Sequence, residues 1–446
     1  MTRALKALAL LSVGLSCGCS SALAWYGHTP DRTKRIEIRQ SHGKQWLVMG
    51  DQKSAEYDAI ATHAFAFADG GRRTAVAALR IGKDGAQRWH VVSDFKEGPA
   101  WDGLAGLVFS PNGAHLAYAA ENKKRWHVVV DGKVGPVFEW IDPASMTWSA
   151  DGKRLGYVAG AGECARAVIE DNPGDCHRRV IGLSVGRKAE HDIALVVEKS
   201  GEHPARLLIG GKEAANFVYA RSLHTDSTGE HWAVIAETEP LGVGYHLVVD
   251  GNPQPSFDEI SAFVWAPAGK AFAYTARRDA TWYAIEPRTA SRPYDAVEVP
   301  VFSGDGLHVG HVGRVGAEGF VSVDGKVVWS RTGPVTALTF DTQGKRIAFM
   351  YRDAKGPVIA VDKARHHYDV VIDGSLRFSR DGRHWAALVG SLSKRKLTMI
   401  MDGEKQLPFD SEELFGGGLY KNSREAIGTW VAAELELYLG AQHGRH

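Results

Sequence analysis

Short apolar runs of about five residues, broken by glycine, aspartate and asparagine, follow one another along most of the chain. Residues 126–160, "WHVVVDGKVGPVFEWIDPASMTWSADGKRLGYVAG", display the pattern. "HLVVDGNPQPSFDEISAFVWAPAGKAFAYTA" from His246 repeats it, and "FVSVDGKVVW" and "LTFDTQGKRIAFMY" repeat parts of it. Within the runs, apolar and polar positions alternate with a period of two, and Val, Trp, Tyr and Phe are frequent. That periodicity predicts strands; a helical repeat would space its apolar residues by three and four. Glycine after Asp or Asn supplies the positive φ of tight hairpin turns.

The turn glycines set the period. They fall at Gly71, Gly113, Gly152, Gly229, Gly269, Gly306, Gly344 and Gly382, in "FADGG", "FSPNG", "WSADG", "TDSTG", "WAPAG", "FSGDG", "FDTQG" and "FSRDG". The intervals are 42, 39, 77, 40, 37, 38 and 38 residues. The interval of 77 is a double one, and "GLSVGRKAEHDIALVV" is the degenerate unit inside it. A weaker copy, "LYKNSREAIGTWV", follows Gly382. Each unit reads as four strands: one before the turn ("SMTWS"), a second after it ("RLGYVA"), a third ("RWHVVV"), and a fourth ("PVFEWI") beyond a turn such as Asp131-Gly132. Four strands with short loops occupy about 40 residues. The pattern therefore predicts an all-β chain, a β-propeller of about ten four-stranded blades of ~39 residues.

At "FSPNGAHLAYAA" and "WSADGKRLGYVA" the units resemble the WD40-like (PD40) repeat of TolB-like β-propellers. The resemblance covers nearly the whole chain after residue 24. It implies scaffold or docking work without naming a partner. The usual ring of that family has six blades, and this chain holds more units than that. Two rings are expected, 25–220 and 221–446; one large ring is the alternative. The strands "KRIEIRQ", "QWLVMGD" and "AEYDAI" have no inner strand before them, and the last unit, "GGGLY" to "LELYLG", has no clear fourth. The mismatch suggests closure by pairing the two chain ends.

Residues 1–24 stand apart. Arg3 and Lys6 precede an apolar run over 7–15 and a small-x-small site, Ala22-Leu23-Ala24, the layout of a secretory signal peptide. Cleavage after Ala24 gives a periplasmic or secreted protein. Alternatively, "GLSC" or "SCGC" serves as a loose bacterial lipobox, and Cys17 or Cys19 carries a lipid anchor. No later run is long enough to predict a transmembrane helix. Only Cys164 and Cys176 remain beyond this segment, flanking the turn signal Asn172-Pro173-Gly174. In an oxidising compartment a disulfide is expected between them.

Charge excludes some partners. Lys plus Arg number 53 and Asp plus Glu 52, for a net charge of +1, which removes the electrostatic case for nucleic acid. Recurrent Trp46, Trp89, Trp126 and Trp282 each open a third strand. An aromatic followed by an acid recurs as Tyr57-Asp58, Trp101-Asp102, Phe138-Glu139, Phe257-Asp258, Tyr294-Asp295, Tyr368-Asp369 and Phe409-Asp410. One copy per blade reads as packing and turn bonding. Gly182-Leu183-Ser184-Val185-Gly186 fits the G-x-S-x-G nucleophile pattern, but the following residues predict a hairpin and not the helix that such an elbow needs. Ser184 is expected in the slot that Ser110, Ser149, Ser303 and Ser379 fill elsewhere. His308 and His311 lie three apart on a strand and so diverge, as do the adjacent His366 and His367. The D-G turns lack the ligand spacing of a calcium loop. No catalytic residue, cofactor site or metal site is assigned. The expected function is an exported, non-catalytic scaffold binding a protein, peptide or glycan of the bacterial cell envelope. The alternative is an exported propeller enzyme, a hydrolase or lyase acting on glycans in the central channel.

Overall fold

The computed structural model describes residues 22–29, 34–198, 201, 204–237, 244–267, 269–391, 393, 396–407, 431, 432 and 435. Among them, ten antiparallel sheets follow in chain order, the all-β architecture of a propeller of about ten blades. Sheets one to five occupy 22–53, 59–101, 103–134, 140–173 and 179–217. Sheets six to ten occupy 219–253, 259–290, 296–332, 335–367 and 370–407. Each is a meander of four strands. In sheets eight and ten the first strand is in two pieces on one partner, as where Val301–Phe302 and Ala296–Val297 both pair with Val309–Val315. Elsewhere the first strand carries a bulge at midlength, between the partners of Ala220 and Ser222 or of Ile260 and Ala262, for example.

The second strands form the core. Leu155–Ala161 and Leu116–Asn122 are buried along most of their length on both faces, not on alternate residues as the expected periodicity implies. A sheet sandwiched between two neighbours has no solvent face, so its central strand becomes a continuous apolar run. Alanines keep the sheets close: Ala117, Ala119, Ala159, Ala233, Ala273, Ala348 and Ala386 are fully buried. Apolar cores join neighbouring sheets: Val128, Tyr157 and Val168 between three and four, Leu195, Leu207 and Trp232 between five and six, and Val321, Phe349 and Val358 between eight and nine. The division at 220/221 lies inside Tyr219–Thr225, the first strand of sheet six, and the core is continuous across it.

Four expectations are corrected. Sheet one does have a first strand, Ala22–His28, paired from Ala22↔Gln40 to His28↔Arg35; Trp25 to His28 would keep their pairing after cleavage at Ala24. The fourth strand is not "PVFEWI" but the two residues Lys133–Val134 directly after the turn, while Trp140–Trp148 begins the next sheet. Asn172-Pro173 is not a turn but an outer edge strand, where proline's missing N–H costs nothing; the turn is Glu170-Asp171, both at positive φ. Finally, Gly186, not Ser184, holds the slot of Ser110: Ser184 pairs with Ile193 as Val108 pairs with Ala117. Residues 1–21, with Cys17 and Cys19, and the unit from "GGGLY" to "LELYLG" lie outside the described residues, apart from three isolated positions in the latter.

Candidate binding cleft

Two repeating polar latches account for most of the conserved-looking residues of the repeat. In the first, a carboxylate at a hairpin turn accepts the backbone N–H that starts the second strand and bonds the His or Arg side chain just before it. His115–Asp131, His231–Asp250, His308–Asp324 and His384–Asp402 are 2.6–2.7 Å apart; Arg73–Asp94 and Arg346–Asp362 do the same. In the second, the acid of the aromatic–acid pair reaches the next sheet. Asp58, Asp102, Glu139, Asp258 and Asp295 each accept a backbone N–H from the hairpin joining its second and third strands, at 2.6–2.9 Å. The serines of the turn also act locally: Ser149 Oγ donates to Asp151 and accepts from Arg154 N. Asp151 is thereby held below its ordinary pKa, first by the Ser149 hydroxyl.

The aromatic of the second latch has its own repeated place. It pairs with the residue opening the third strand: Trp89↔Trp101, Trp126↔Phe138, Tyr245↔Phe257 and Trp282↔Tyr294. Phe138 and Phe257 then pack edge-on against Tyr157 and Tyr274 of the following sheet. Sheet four departs from this rule. Its corresponding pair is Ala165↔His177. Immediately beside it, the expected disulfide Cys164–Cys176 is present, with Cα atoms 5.3 Å apart. An imidazole stands where Tyr57, Trp101, Phe138, Phe217, Phe257 and Tyr294 stand in other sheets, its small partner being shared with Ala205↔Phe217 of sheet five, and a covalent link fastens the same corner.

A cleft of 390 Å³ opens between sheets four and five, with an aliphatic wall that includes Ile169, Ile193, Val196 and Leu208. His177 is at one end, and its Nδ1 donates to Glu198 at 2.8 Å. Past His177 lies a more open hollow of 720 Å³, lined by both cysteines, Glu163, Arg178 and Arg206. Arg154 and Asp192 are at the other end. Asp192 is a second anomaly of the degenerate unit. It occupies the position of Leu116, Leu155 or Trp232, so an acid replaces the apolar residue that starts the second strand elsewhere, and Gly210 stands where the turn acid belongs. Arg154 answers it across the sheet boundary with two parallel hydrogen bonds of 2.8 Å, and its Nε still binds Glu170 at 2.8 Å. The Asp192 bonds raise the pKa of the Arg154 guanidinium above its ordinary value, against the effect of burial.

The other sequence candidates have structural explanations. In the G-x-S-x-G stretch, Ser184 Oγ donates to Thr225 Oγ1 at 3.2 Å. A Cβ on Gly182 would lie 2.7 Å from Leu223, and one on Gly186 2.5 Å from His191, so both glycines are packing residues. His308 and His311 diverge as expected. His308 joins a turn latch, whereas His311 is enclosed with Glu286 (2.7 Å) and Tyr294 (3.2 Å). The side chains of His311 and Glu286 are 1% and 2% exposed, so no substrate reaches them. His366 packs on Trp385 while His367 binds Asp353. Among the described residues no group of His, Cys, Asp and Glu is arranged to hold a metal ion, and no helix is long and apolar enough to cross a membrane.

His177, Ala165 and Asp192 were not singled out from the sequence. The available signal was negative for two of them: His177 stands where Tyr57, Trp101, Phe138, Phe217, Phe257 and Tyr294 stand, and Asp192 where Leu116, Leu155 and Trp232 stand. Reading the repeats for agreement hides such positions.

No protein-family model matches the chain, and no curated protein matches it. Solved structures similar to it include a eukaryotic initiation factor (13% identity, TM-score 0.42, covering 75% of this chain and 95% of that one). The Dos1 propeller is 12% identical with a TM-score of 0.33, covering 76% and 91%. The β-propeller domain of the Trilobed protease from Pyrococcus furiosus is 11% identical with a TM-score of 0.28, covering 69% and 94%.

Proposed function

We propose that the chain is an exported, non-catalytic β-propeller of TolB-like type that acts as a binding scaffold in a bacterial cell envelope, with the cleft between sheets four and five as its ligand site. The observation that carries the reading is the 390 Å³ cleft itself, lined by His177 and by the buried Arg154–Asp192 pair along with aliphatic side chains. That volume is within the range of small-molecule and side-chain pockets, about 300–1,000 Å³. Export is supported by the leader-like residues 1–24 and by the disulfide, which persists in oxidising compartments. The S-x-D/N-G turns at Ser110, Ser149, Ser303 and Ser379 support the TolB-like assignment.

The test is capture from an envelope fraction with the wild-type chain and with His177→Phe, which supplies the ring that other sheets carry there. A partner or ligand retained by the wild type and lost by a folded His177→Phe supports the reading. Identical capture by both, or turnover of envelope glycans by both, refutes it.

A further inference from the structure

The corner at His177 is the one that thiol chemistry reaches. Other sheets place an aromatic side chain there, and it packs on the next sheet, as Phe138 does on Tyr157 and Phe257 on Tyr274. In sheet four the link Cys164–Cys176 stands beside the pair Ala165↔His177. Both cysteines line the 720 Å³ hollow, with Cys176 exposed and Cys164 half-buried. A thiol therefore has access to the bond without unfolding of the sheets. Arg178 and Arg206 line the same hollow and favour a thiolate, arriving or departing, against the opposing charge of Glu163; Glu198 is engaged by His177. The segment that the bond fastens is part of the cleft: Asn172, Gly174, Asp175 and His177 all line it. Its other ties to the third strand are few. They are the two-residue pairing of Asn172–Pro173, the Gly174 N–H on the Ala167 carbonyl, the Arg166 guanidinium on the Gly174 carbonyl, and the pair Ala165↔His177. His177 lines both the cleft and the hollow, so it forms the wall between them.

We infer that Cys164–Cys176 is a thiol-exchangeable clasp that holds His177 between the two cavities, with a dithiol as its reductant. One thiolate of the dithiol attacks Cys176 Sγ, the exposed sulfur. The S–S bond breaks, Cys164 leaves as a thiolate and takes a proton from solvent, and a mixed disulfide joins the reductant to Cys176. The second thiolate of the reductant then attacks the mixed disulfide and releases Cys176. Two electrons have passed from the dithiol, now a disulfide, to the cysteine pair. With the clasp open, residues 172–177 are held by the remaining ties alone, and the cleft opens onto the hollow. The regulatory meaning of the clasp rests on the reading of the cleft as the ligand site; the exchange itself does not.

The folded full chain is treated with dithiothreitol, and free Cys164 and Cys176 are followed by alkylation and peptide mass spectrometry. The rate of reduction should rise in proportion to dithiothreitol and be insensitive to urea below the unfolding transition, as for a bond reached in the folded state. A rate that saturates with dithiothreitol and rises with urea shows a bond reached only through unfolding, and overturns the inference. Cys164→Ser leaves Cys176, and Cys176→Ser leaves Cys164. An aromatic disulfide reagent should modify the remaining Cys176 about tenfold faster than the remaining Cys164, because thiol reactivity follows exposure; the reverse order overturns the attack on Cys176. On reduction of the wild type, hydrogen exchange should quicken at residues 174–177 and stay unchanged in sheets one and eight. In His177→Phe, which puts a ring at the corner, reduction should quicken that segment less. Exchange at 174–177 that reduction leaves unchanged overturns the clasp. None of these readouts uses a ligand, so the scaffold reading is decided separately by the capture experiment.

Discussion

At the scale of single residues, the fold depends on positions where the repeat is broken. Asp192 is such a position. Its bidentate pair with Arg154 is about nine-tenths buried on both sides, and removing one partner leaves a buried charge uncompensated. Asp192→Ala should lower stability by about 3 kcal/mol, measured by urea unfolding; adding Arg154→Met should recover part of the loss. His224 gives a pH effect. Burial beside Phe263 holds its pKa below the ordinary 6.5. The folded state thus favours the neutral ring. This contribution is fully present above pH 6.5 and is lost as pH falls from 6.5 towards the lower folded value. His224→Gln should flatten that part of the stability–pH curve, read as the difference from wild type across the same interval. An unchanged curve would show that the ring is not shielded.

At the scale of strands and hairpins, stability comes from links passed from one sheet to the next. Asp102 at the end of sheet two accepts Lys123 N in sheet three at 2.7 Å and pairs with Arg88 at 2.9 Å. The turn it caps, Lys123-Lys124, holds two non-glycine residues at positive φ, a conformation with a steric cost that the carboxylate offsets. Asp102→Ala should destabilise by about 1 kcal/mol. Hydrogen exchange should locate the change at the Lys123 hairpin, one sheet beyond the substitution. The strands and hairpins were legible in the sequence because Gly, Asn and Asp must mark the turns and apolar residues must fill a central strand. Their length was less legible. The outer strand of sheet four is just Asn172–Pro173, and no composition rule separates a two-residue edge strand from a turn.

At the scale of the whole molecule, each sheet covers one face of the neighbour on either side, so local loosening spreads to adjacent interfaces. The Cys164–Cys176 link closes a loop with a sequence separation of 12 at the corner where aromatic packing is absent. Replacing both cysteines by serine should cost roughly 3 kcal/mol on the loop-entropy scale, and reductant should produce a similar loss in the wild type but none in the variant. The loss should appear in the His177 segment first, because that segment has lost the packing that holds the equivalent corner elsewhere. Equal stability with and without the link would mean that the strand pairing Ala165↔His177 suffices.

The sequence by itself determined the repeat, the four-stranded sheets, the turn glycines and the cysteine pair, because these follow from the period of apolar residues and from backbone conformations that few residue types adopt. Only the tertiary structure decided what the exceptions do. That His177 lines a cleft, that Asp192 draws Arg154 across a sheet boundary, and that His311 is sealed with Glu286 all depend on which side chains of different sheets come face to face. Such contacts join residues up to 38 positions apart, and no spacing within one unit contains them.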